Sequence, residues 1–308
     1  MSQKPVPRPS NRSDVLTQPP SWARWLPLVA GTLWGTAFPA VALALETFTP
    51  FDVAFGRAFI GALTLGAVLL WRGTLRHHFS RATWARLFIL AQAGAGFFWT
   101  FHTLAVRYGT PVNAAFIVGT YPAMVAAAAP LMVGEQLRRR DVVSLILALV
   151  GVYLIVGKGQ IRLFESETAL GDLFALVAAV LFGSYLLLGR RWRRVLGVSS
   201  EELTLYTFVL ALPVLTVLAL LDGPLPAPPT WRSAGALLWL GCMTTTAAFL
   251  AINEGMRVGA VARSSLHLFV FPPVATLTTW LIFGTALSGV QWVGGGLVLL
   301  GILLAGRP

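Results

Sequence analysis

The chain has 308 residues, of which 56% are hydrophobic and 11% are charged, and its mean hydropathy is +0.74. A water-soluble domain has about 25% charged residues, so this chain has too few charges to cover a water-facing surface. The net charge of +11 does not indicate nucleic-acid binding, because the basic residues lie in short segments between apolar runs.

Residues 1–24 are polar and rich in proline, which predicts a disordered tail. No short apolar stretch with a small-residue cleavage site precedes the first long apolar run, so we expect no cleaved signal peptide. A helix needs about 20 apolar residues to cross the hydrocarbon core of a membrane. Ten runs meet this criterion: 25–45, 53–71, 84–106, 111–133, 140–157, 170–189, 202–221, 232–255, 261–283 and 289–306.

The distribution of lysine and arginine between these runs predicts their orientation. With the N-terminus inside, eighteen of the 23 basic residues fall on the inner side and four on the outer side, and Arg57 lies within a span. Because inner loops of membrane proteins carry an excess of lysine and arginine, this bias favours ten spans and two cytoplasmic termini. The localisation that we expect is a bacterial inner membrane.

The second half of the chain repeats the first at a shift of about 150 residues. The matched positions are mostly glycine and proline, the residues that fix close backbone approach and kinks. They pair Arg107 with Arg257, Gly109 with Gly259, Tyr121-Pro122 with Phe271-Pro272, Gly134 with Gly284, Gly151 with Gly301 and Leu33-Trp34-Gly35 with Leu181-Phe182-Gly183. The sequence therefore predicts a first five-helix repeat over 25–157 and a second over 170–306.

Five spans is an odd number, so the second repeat begins on the opposite side of the membrane. The predicted fold is all-α, with ten transmembrane helices in two inverted five-helix repeats. Inverted repeats with a site at their interface are a recurring design of transporters. Duplication for stability alone is the alternative explanation of the repeat.

The motifs of each repeat resemble the EamA-type unit of the drug/metabolite transporter superfamily. They are Leu33-Trp34-Gly35, Tyr121-Pro122 and Gly134-Glu135 in the first copy, and Leu181-Phe182-Gly183, Phe271-Pro272 and Gly284 in the second. The second copy has Thr285 at the position of Glu135, for which we expect a structural role. The resemblance covers residues 25–306 and implies ten helices around a central cavity, alternating access and, in bacteria, export of metabolites or drugs.

Arg57 is a candidate for substrate binding, because a charge inside a span is costly and marks function by default. It could bind a substrate carboxylate or phosphate from the cavity wall. Alternatively, it could pair with Glu46 or Asp52 near the outer surface, or extend toward that surface. Tyr206 occupies the equivalent position of the second repeat, so the charge is not repeated.

The third and eighth spans carry further polar candidates. Trp99 and His102 share one helical face, and His102 could bind substrate, take part in proton coupling or cap the outer end of its helix. In the eighth span, Asn253 is a substrate-binding candidate. Glu254 is expected to pair with Arg257, three residues further on, with a proton-carrying role as the alternative.

The ninth span begins with Ser264, His267 and Phe271 on one helical face, and all three are substrate-binding candidates. Pro122 in the fourth span and Pro272 and Pro273 in the ninth disturb their helices at matching places, so we predict hinges there. Unpaired carbonyl groups at such kinks are tolerated only against protein or a watery cavity.

Aromatic residues complete the predicted cavity wall, with Trp34 and Phe38 one turn apart and Trp99, Tyr121 and Phe271 on faces that polar residues also mark. Thr244, Thr245 and Thr246 are weak candidates, because threonine hydroxyls bond back to the helix backbone. Gly151, Gly301 and Gly294–Gly296 predict close helix packing.

We predict a secondary active transporter that moves a small metabolite, such as an amino acid or an amphipathic drug-like compound, by alternating access, with export as the expected direction. The alternative is an integral-membrane enzyme that acts on a lipid-linked substrate, although no metalloprotease, serine-hydrolase or phosphate-loop motif is present. The single cysteine, Cys242, excludes a cysteine metal cluster. The expected partners are the small-molecule substrate, membrane lipids and protons as a candidate coupling ion, without nucleic acid or cofactor, in a monomer or homodimer.

Overall fold

The computed structural model describes residues 21–73, 75, 79–134, 137–157, 169–223, 228–259, 261–284 and 288–306. Within these ranges all regular structure is helical. The α-helices are α1 (Leu26–Gly35), α2 (Ala37–Ala44), α3 (Pro50–Arg72), α4 (Arg81–Ala91), α5 (Phe97–Tyr108), α6 (Pro111–Val118), α7 (Tyr121–Val133), α8 (Arg139–Gly157), α9 (Ala169–Leu196), α10 (Ser200–Val209), α11 (Leu212–Asp222), α12 (Trp231–Trp239), α13 (Ala248–Val258), α14 (Val261–His267), α15 (Phe271–Phe283) and α16 (Gly289–Gly306). Two π-helical segments, Gln92–Gly96 and Leu240–Ala247, and the 3-10 segment Leu268–Val270 join neighbouring helices, and the 3-10 segment Ser21–Trp25 leads into α1.

Several of these helices join end to end into longer apolar rods. Within the described residues, eight stretches are long and apolar enough to cross a membrane: Trp22–Ala44, Pro50–Arg72, Arg81–Tyr108, Pro111–Met132, Ala169–Arg193, Ser200–Asp222, Trp231–Val258 and Ser264–Phe283. They coincide with eight of the ten predicted spans. The other two predicted spans fall on α8 and on α16, whose shorter apolar part is Trp292–Leu304.

The helix ends show why the rods begin and stop where they do. Thr49 opens α3 with a capping box, in which its hydroxyl accepts from the backbone of Asp52 and the Asp52 carboxylate accepts from the backbone of Thr49. At their C-terminal ends, α7 and α15 stop at Gly134 and Gly284, and both glycines have a φ of +71°. A left-handed residue of this kind is the usual helix stop, and glycine takes it without strain. Glu135 and Thr285 follow these glycines and lie outside the described residues.

The rods enclose two apolar cores. The larger core brings together side chains from α1 to α7, from α9 to α13 and from α15, with Phe38, Trp99 and Phe249 among the most buried. The smaller core lies between α7, α8, α14 and α16, around Val152, Phe269 and Val298. Because α8 and α16 pack along each other outside the larger core, the cavity described below is built by the other helices.

The contact between α8 and α16 depends on small residues, as the sequence predicts. A Cβ atom at Gly151 would lie 2.5 Å from the carbonyl oxygen of Gly294, and one at Gly301 would lie 2.8 Å from the carbonyl oxygen of Ser144. Gly295 and Gly296 have open space around them instead. Only part of the predicted glycine cluster therefore allows close backbone approach.

Candidate functional site

A small cavity lies within the larger core, where helices from both halves of the chain meet. Its interior holds about 30 Å³, room for roughly two water molecules. Its wall consists of Trp34, Ala37, Phe38, Arg57, Phe98, His102, Val118, Tyr121, Phe182 and Phe271. The wall thus combines one permanent cation and one histidine with a shell of aromatic rings.

Three of the helical rods that form the wall are interrupted beside it. The first rod breaks at Thr36, between α1 and α2, and the fourth breaks at Gly119–Thr120, between α6 and α7. The rod Ser264–Phe283 tightens into the 3-10 segment Leu268–Val270 before α15. The fourth rod and this one are therefore interrupted at the matching places that the sequence predicts.

The prolines explain the position of the last two interruptions. Pro122 and Pro272 occupy the first turns of α7 and α15, and Pro273 follows Pro272. Proline lacks a backbone N–H and is tolerated in the first turn of a helix, where that donor has no intrahelical partner. The chain therefore starts a new helix at each proline instead of kinking a continuous one.

Aromatic residues at equivalent positions of the two halves contact each other across the cavity. Trp34 and Phe182, related by a shift of 148 residues, meet edge to face with ring centroids 5.1 Å apart. Tyr121 and Phe271, related by a shift of 150 residues, stack with centroids 5.8 Å apart. Both pairs join through the contact between Tyr121 and Phe182 at 5.1 Å. The repeat in the sequence is thus expressed as paired rings around one cavity.

Arg57 is buried, with 2% of its surface exposed, and it reaches across to the second half of the chain. Its Nε donates to the hydroxyl of Thr245 at 3.1 Å, and its Nη2 donates to the hydroxyl of Thr244 at 3.2 Å. The guanidinium carbon lies 4.7 Å from the ring centroid of Trp99, a distance typical of a cation–π contact. The expected alternative pairing with Asp52 is wrong, because that carboxylate caps α3 through Thr49.

The π-helical segment Leu240–Ala247 supplies both threonines. Its wider turn releases the carbonyl oxygen of Thr244, which accepts a 2.8 Å hydrogen bond from Nε1 of Trp34. Thr244 also donates back to the carbonyl oxygen of Leu240, as expected of a helical threonine. The prediction of these threonines as weak candidates misses their contact with Arg57, because nothing in the sequence indicates that the backbone widens there and turns their hydroxyls toward that side chain.

Two buried polar atoms of the residues that line the cavity have no hydrogen-bond partner among the described residues. They are Nδ1 of His102 and the hydroxyl oxygen of Tyr121. His102 lies inside α5, with its ring centroid 4.7 Å from that of Phe38. The alternative of a capping histidine at the helix end is therefore wrong. A ligand in the cavity could supply the partners that these atoms lack.

Six of the ten predicted binding residues line the cavity, namely Trp34, Phe38, Arg57, His102, Tyr121 and Phe271. The other four do not. Trp99 lies behind Arg57 and packs against Phe249 at 5.6 Å, and the ring of His267 meets Trp25 edge-on at 5.4 Å. Asn253 accepts from the hydroxyl of Tyr185 and donates to that of Thr204, and Ser264 is buried beside Gly259.

Four residues of the wall are not among those predicted from the sequence: Ala37, Phe98, Val118 and Phe182. Phe182 does carry a signal in the sequence, because the repeat aligns it with the predicted residue Trp34. The two small aliphatic residues carry no comparable signal. Phe98 differs from its exposed neighbour Phe97 only in the direction in which α5 turns it.

A second and larger pocket, of about 670 Å³, opens between the start of α1, the start of α10 and the end of α13. On its wall, Arg257 donates to both carboxylate oxygens of Glu254, and Ser200 donates to the same carboxylate. The predicted pair of Glu254 and Arg257 is confirmed. Among the described residues, no group of three or more histidine, cysteine, aspartate or glutamate side chains could hold a metal ion.

A family profile and the sequences of related proteins indicate the same kind of protein. The profile of the EamA-like transporter family matches residues 21–157 and again residues 169–307. An uncharacterized transporter of Archaeoglobus fulgidus is 27% identical over 274 residues, which is 88% of this chain and 93% of that protein. The uncharacterized transporter YyaM of Bacillus subtilis is 26% identical over 277 residues, which is 88% of this chain and 89% of that protein. A solved structure with 22% identity superposes with a TM-score of 0.78, over 92% of this chain and 97% of that one, and supports the fold.

Proposed function

This chain belongs to the EamA-like transporter family of the drug/metabolite transporter superfamily, and from that premise we propose that it carries a small metabolite across the membrane by alternating access. The observation that carries the proposal is the pairing of equivalent residues at one cavity. Trp34 meets Phe182, and Tyr121 meets Phe271, so each half of the chain supplies a matching part of the same wall. A site at the interface of two repeats is the arrangement on which alternating access depends.

The proposed architecture is ten transmembrane helices in two inverted repeats of five. The family profile matches the chain twice, which supports two units with the same arrangement of helices. The excess of lysine and arginine on one side of ten spans supports an odd number of spans in each unit and two cytoplasmic termini. Two units of opposite orientation allow the cavity to open to either side when they exchange conformations.

The interrupted rods supply the proposed hinges. Pro122 lies in the first turn of α7, and Pro272 and Pro273 lie in the first turn of α15, so each of these rods has a break in its hydrogen-bond ladder beside the cavity. A break of this kind lets the two parts of a rod change their angle at low cost. In the state described here the cavity is too small for a metabolite, so binding requires these helices to separate.

The proposed setting is a bacterial inner membrane, with lipids around the apolar rods and export as the direction of transport. The proposed cargo is a small molecule. We propose that the protein carries it as a monomer or a homodimer and needs no cofactor. Protons are the proposed coupling ion, with His102 of the cavity wall as the side chain that would exchange them.

Cysteine accessibility tests alternating access without knowledge of the substrate. In a Cys242→Ala background, Ala37→Cys places one thiol on the cavity wall, where Ala37 is buried. A membrane-impermeant methanethiosulfonate reagent is then applied to right-side-out and to inside-out vesicles. We expect slow labelling from both sides, because each state of the carrier opens the cavity to one of them.

The matched control is Leu303→Cys in the same background, since Leu303 is exposed on the outer face of the apolar helix α16. This thiol faces lipid and should react with the reagent from neither side. Labelling of Ala37→Cys from one side alone would contradict the proposal, because a pocket with a fixed opening, such as that of a membrane enzyme, behaves in this way.

A further inference from the structure

The charge of Arg57 has no counter-charge among the described residues. Its partners are two neutral hydroxyl groups, and neither the ion pair of Arg72 with Glu201 nor that of Arg257 with Glu254 includes it. Arginine stays protonated in proteins. A buried cation without a counter-charge is costly, both in a protein interior and within a membrane span. A ligand that brings one negative charge to Arg57 would remove this cost.

The guanidinium group of Arg57 has donors to spare for such a ligand. It carries five N–H groups in a fixed fork, and Thr244 and Thr245 accept from two of its nitrogen atoms. The described residues provide no other acceptor for it. Trp99 covers one face of the group at 4.7 Å, and the side chain as a whole forms part of the cavity wall. The unused donors are therefore available at the cavity.

The remainder of the cavity wall indicates which chemical group of a ligand would lie beside Arg57. It offers the rings of Trp34, Phe38, Phe98, Phe182 and Phe271, with no carboxylate among them. Nδ1 of His102 and the hydroxyl of Tyr121 add polar atoms that lack a partner among the described residues. Such a wall accepts an apolar or aromatic group next to a single polar head. It has no carboxylate that could receive the ammonium group of an amino acid.

We propose that the cavity binds a monocarboxylate with an aromatic or other apolar body, with the carboxylate on Arg57 and the body among the rings. This inference rests on the proposed function and names its substrate class. A phosphate monoester fits less well, because it carries about two charges at neutral pH and the wall has one permanent cation. The planar fork of arginine matches the two oxygens of a carboxylate.

The test measures thermal stabilisation of the full-length protein in detergent micelles. The probes are benzoate, 3-phenylpropionate and indole-3-propionate, each compared with its primary amide, which has nearly the same shape and no charge. We expect at least one acid to raise the unfolding temperature and its amide to have little effect, since a ligand stabilises the state that binds it. Equal stabilisation by acids and amides, or none by any of the acids, would overturn the inference.

Variants at position 57 show whether the charge is responsible. In Arg57→Met we expect affinity for the acid to fall about tenfold or more, with an unfolding temperature equal to or above that of the wild type, because an apolar side chain replaces an unpaired charge. Arg57→Gln, which is also neutral, can still donate toward Thr244 or Thr245. Arg107→Gln, at the exposed end of α5, removes a positive charge elsewhere and should bind the acid like the wild type.

Undiminished acid binding in a folded neutral variant of Arg57 would overturn the inference. If neither variant folds, the comparison of acids with amides on the wild-type protein decides alone. Labelling of Ala37→Cys does not depend on the ligand, so the two proposals can fail separately. Labelling from both sides without acid selectivity leaves transport standing and removes the substrate class, whereas labelling from one side removes the transport proposal itself.

Discussion

Tyr121 and Phe271 stack ring on ring, with centroids 5.8 Å apart and planes 13° from parallel. They begin α7 and α15, and they occupy equivalent positions of the two matched family units. They differ by the phenolic hydroxyl of Tyr121, which is buried and has no partner among the described residues. The pair is therefore alike in shape and different in polarity, and this difference gives a direct test of the cavity.

Removing the hydroxyl of Tyr121 should affect binding and leave folding intact. We expect Tyr121→Phe to unfold at the same or a higher temperature than the wild type, because a buried polar group without a partner costs free energy. We also expect it to bind aromatic monocarboxylates about tenfold more weakly or worse, since one hydrogen bond to a charged group contributes about 1.5–3 kcal/mol. Thermal unfolding with and without 3-phenylpropionate measures both effects.

The matched control for that variant is Tyr185→Phe. The hydroxyl of Tyr185 donates to Oδ1 of Asn253 at 3.0 Å, outside the cavity wall. Its loss should destabilise the protein by about 1 kcal/mol and leave carboxylate affinity unchanged. The opposite pattern, with Tyr121→Phe destabilised and Tyr185→Phe impaired in binding, would show that the wall is assigned wrongly.

The contact between α8 and α16 should tolerate no added volume at Gly151. We expect Gly151→Ala to lower the free energy of unfolding by about 1–3 kcal/mol, because its Cβ atom would lie 2.5 Å from a backbone oxygen that cannot move aside freely. Gly296→Ala adds the same methyl group where nothing lies within 4 Å, and it should be neutral or stabilising. Urea or thermal unfolding in detergent micelles compares the two, and equal stability of both variants would contradict the close approach.

If transport is coupled to protons through a histidine of the wall, His102 should carry the pH dependence and His267 should not. His102 lines the cavity, whereas His267 lies against Trp25 outside it. We expect His102→Gln to alter the pH profile of uptake into proteoliposomes and His267→Gln to leave its shape unchanged. Profiles that are unchanged in both variants would remove the proton role from this histidine pair.

The pair of Glu254 and Arg257 should be structural. Because the two side chains are 34% and 49% exposed, solvent screens their attraction, and we expect Glu254→Gln to cost about 0.2–1 kcal/mol of stability. The pH profile of transport should stay that of the wild type. A double-mutant cycle with Arg257→Gln measures the coupling, while loss of pH dependence in Glu254→Gln would favour the alternative of a proton-carrying carboxylate.

Much of the fold follows from local properties of the chain. Hydrophobic length predicts the rods, because a span must match the thickness of the hydrocarbon core wherever its neighbours lie. Glycine and proline predict where rods stop or break, as at Gly134, Gly284, Pro122 and Pro272, because their effects on the backbone need no tertiary partner. The repeat can also be read from the sequence alone, and it aligns Phe182 with the predicted cavity residue Trp34.

The candidate site depends on contacts that no local pattern contains. Arg57 and its partner Thr245 are 188 residues apart, and they meet because a π-helical segment of the second half turns its threonines toward α3. Asn253 is as polar as a binding residue, but its side chain forms hydrogen bonds with Tyr185 and Thr204 instead of lining the cavity. The sequence by itself thus determined the rods, their breaks and the repeat, because these depend on the backbone and the lipid. Only the tertiary structure decided which polar and aromatic side chains share one cavity, because that depends on how rods distant in sequence are rotated against each other.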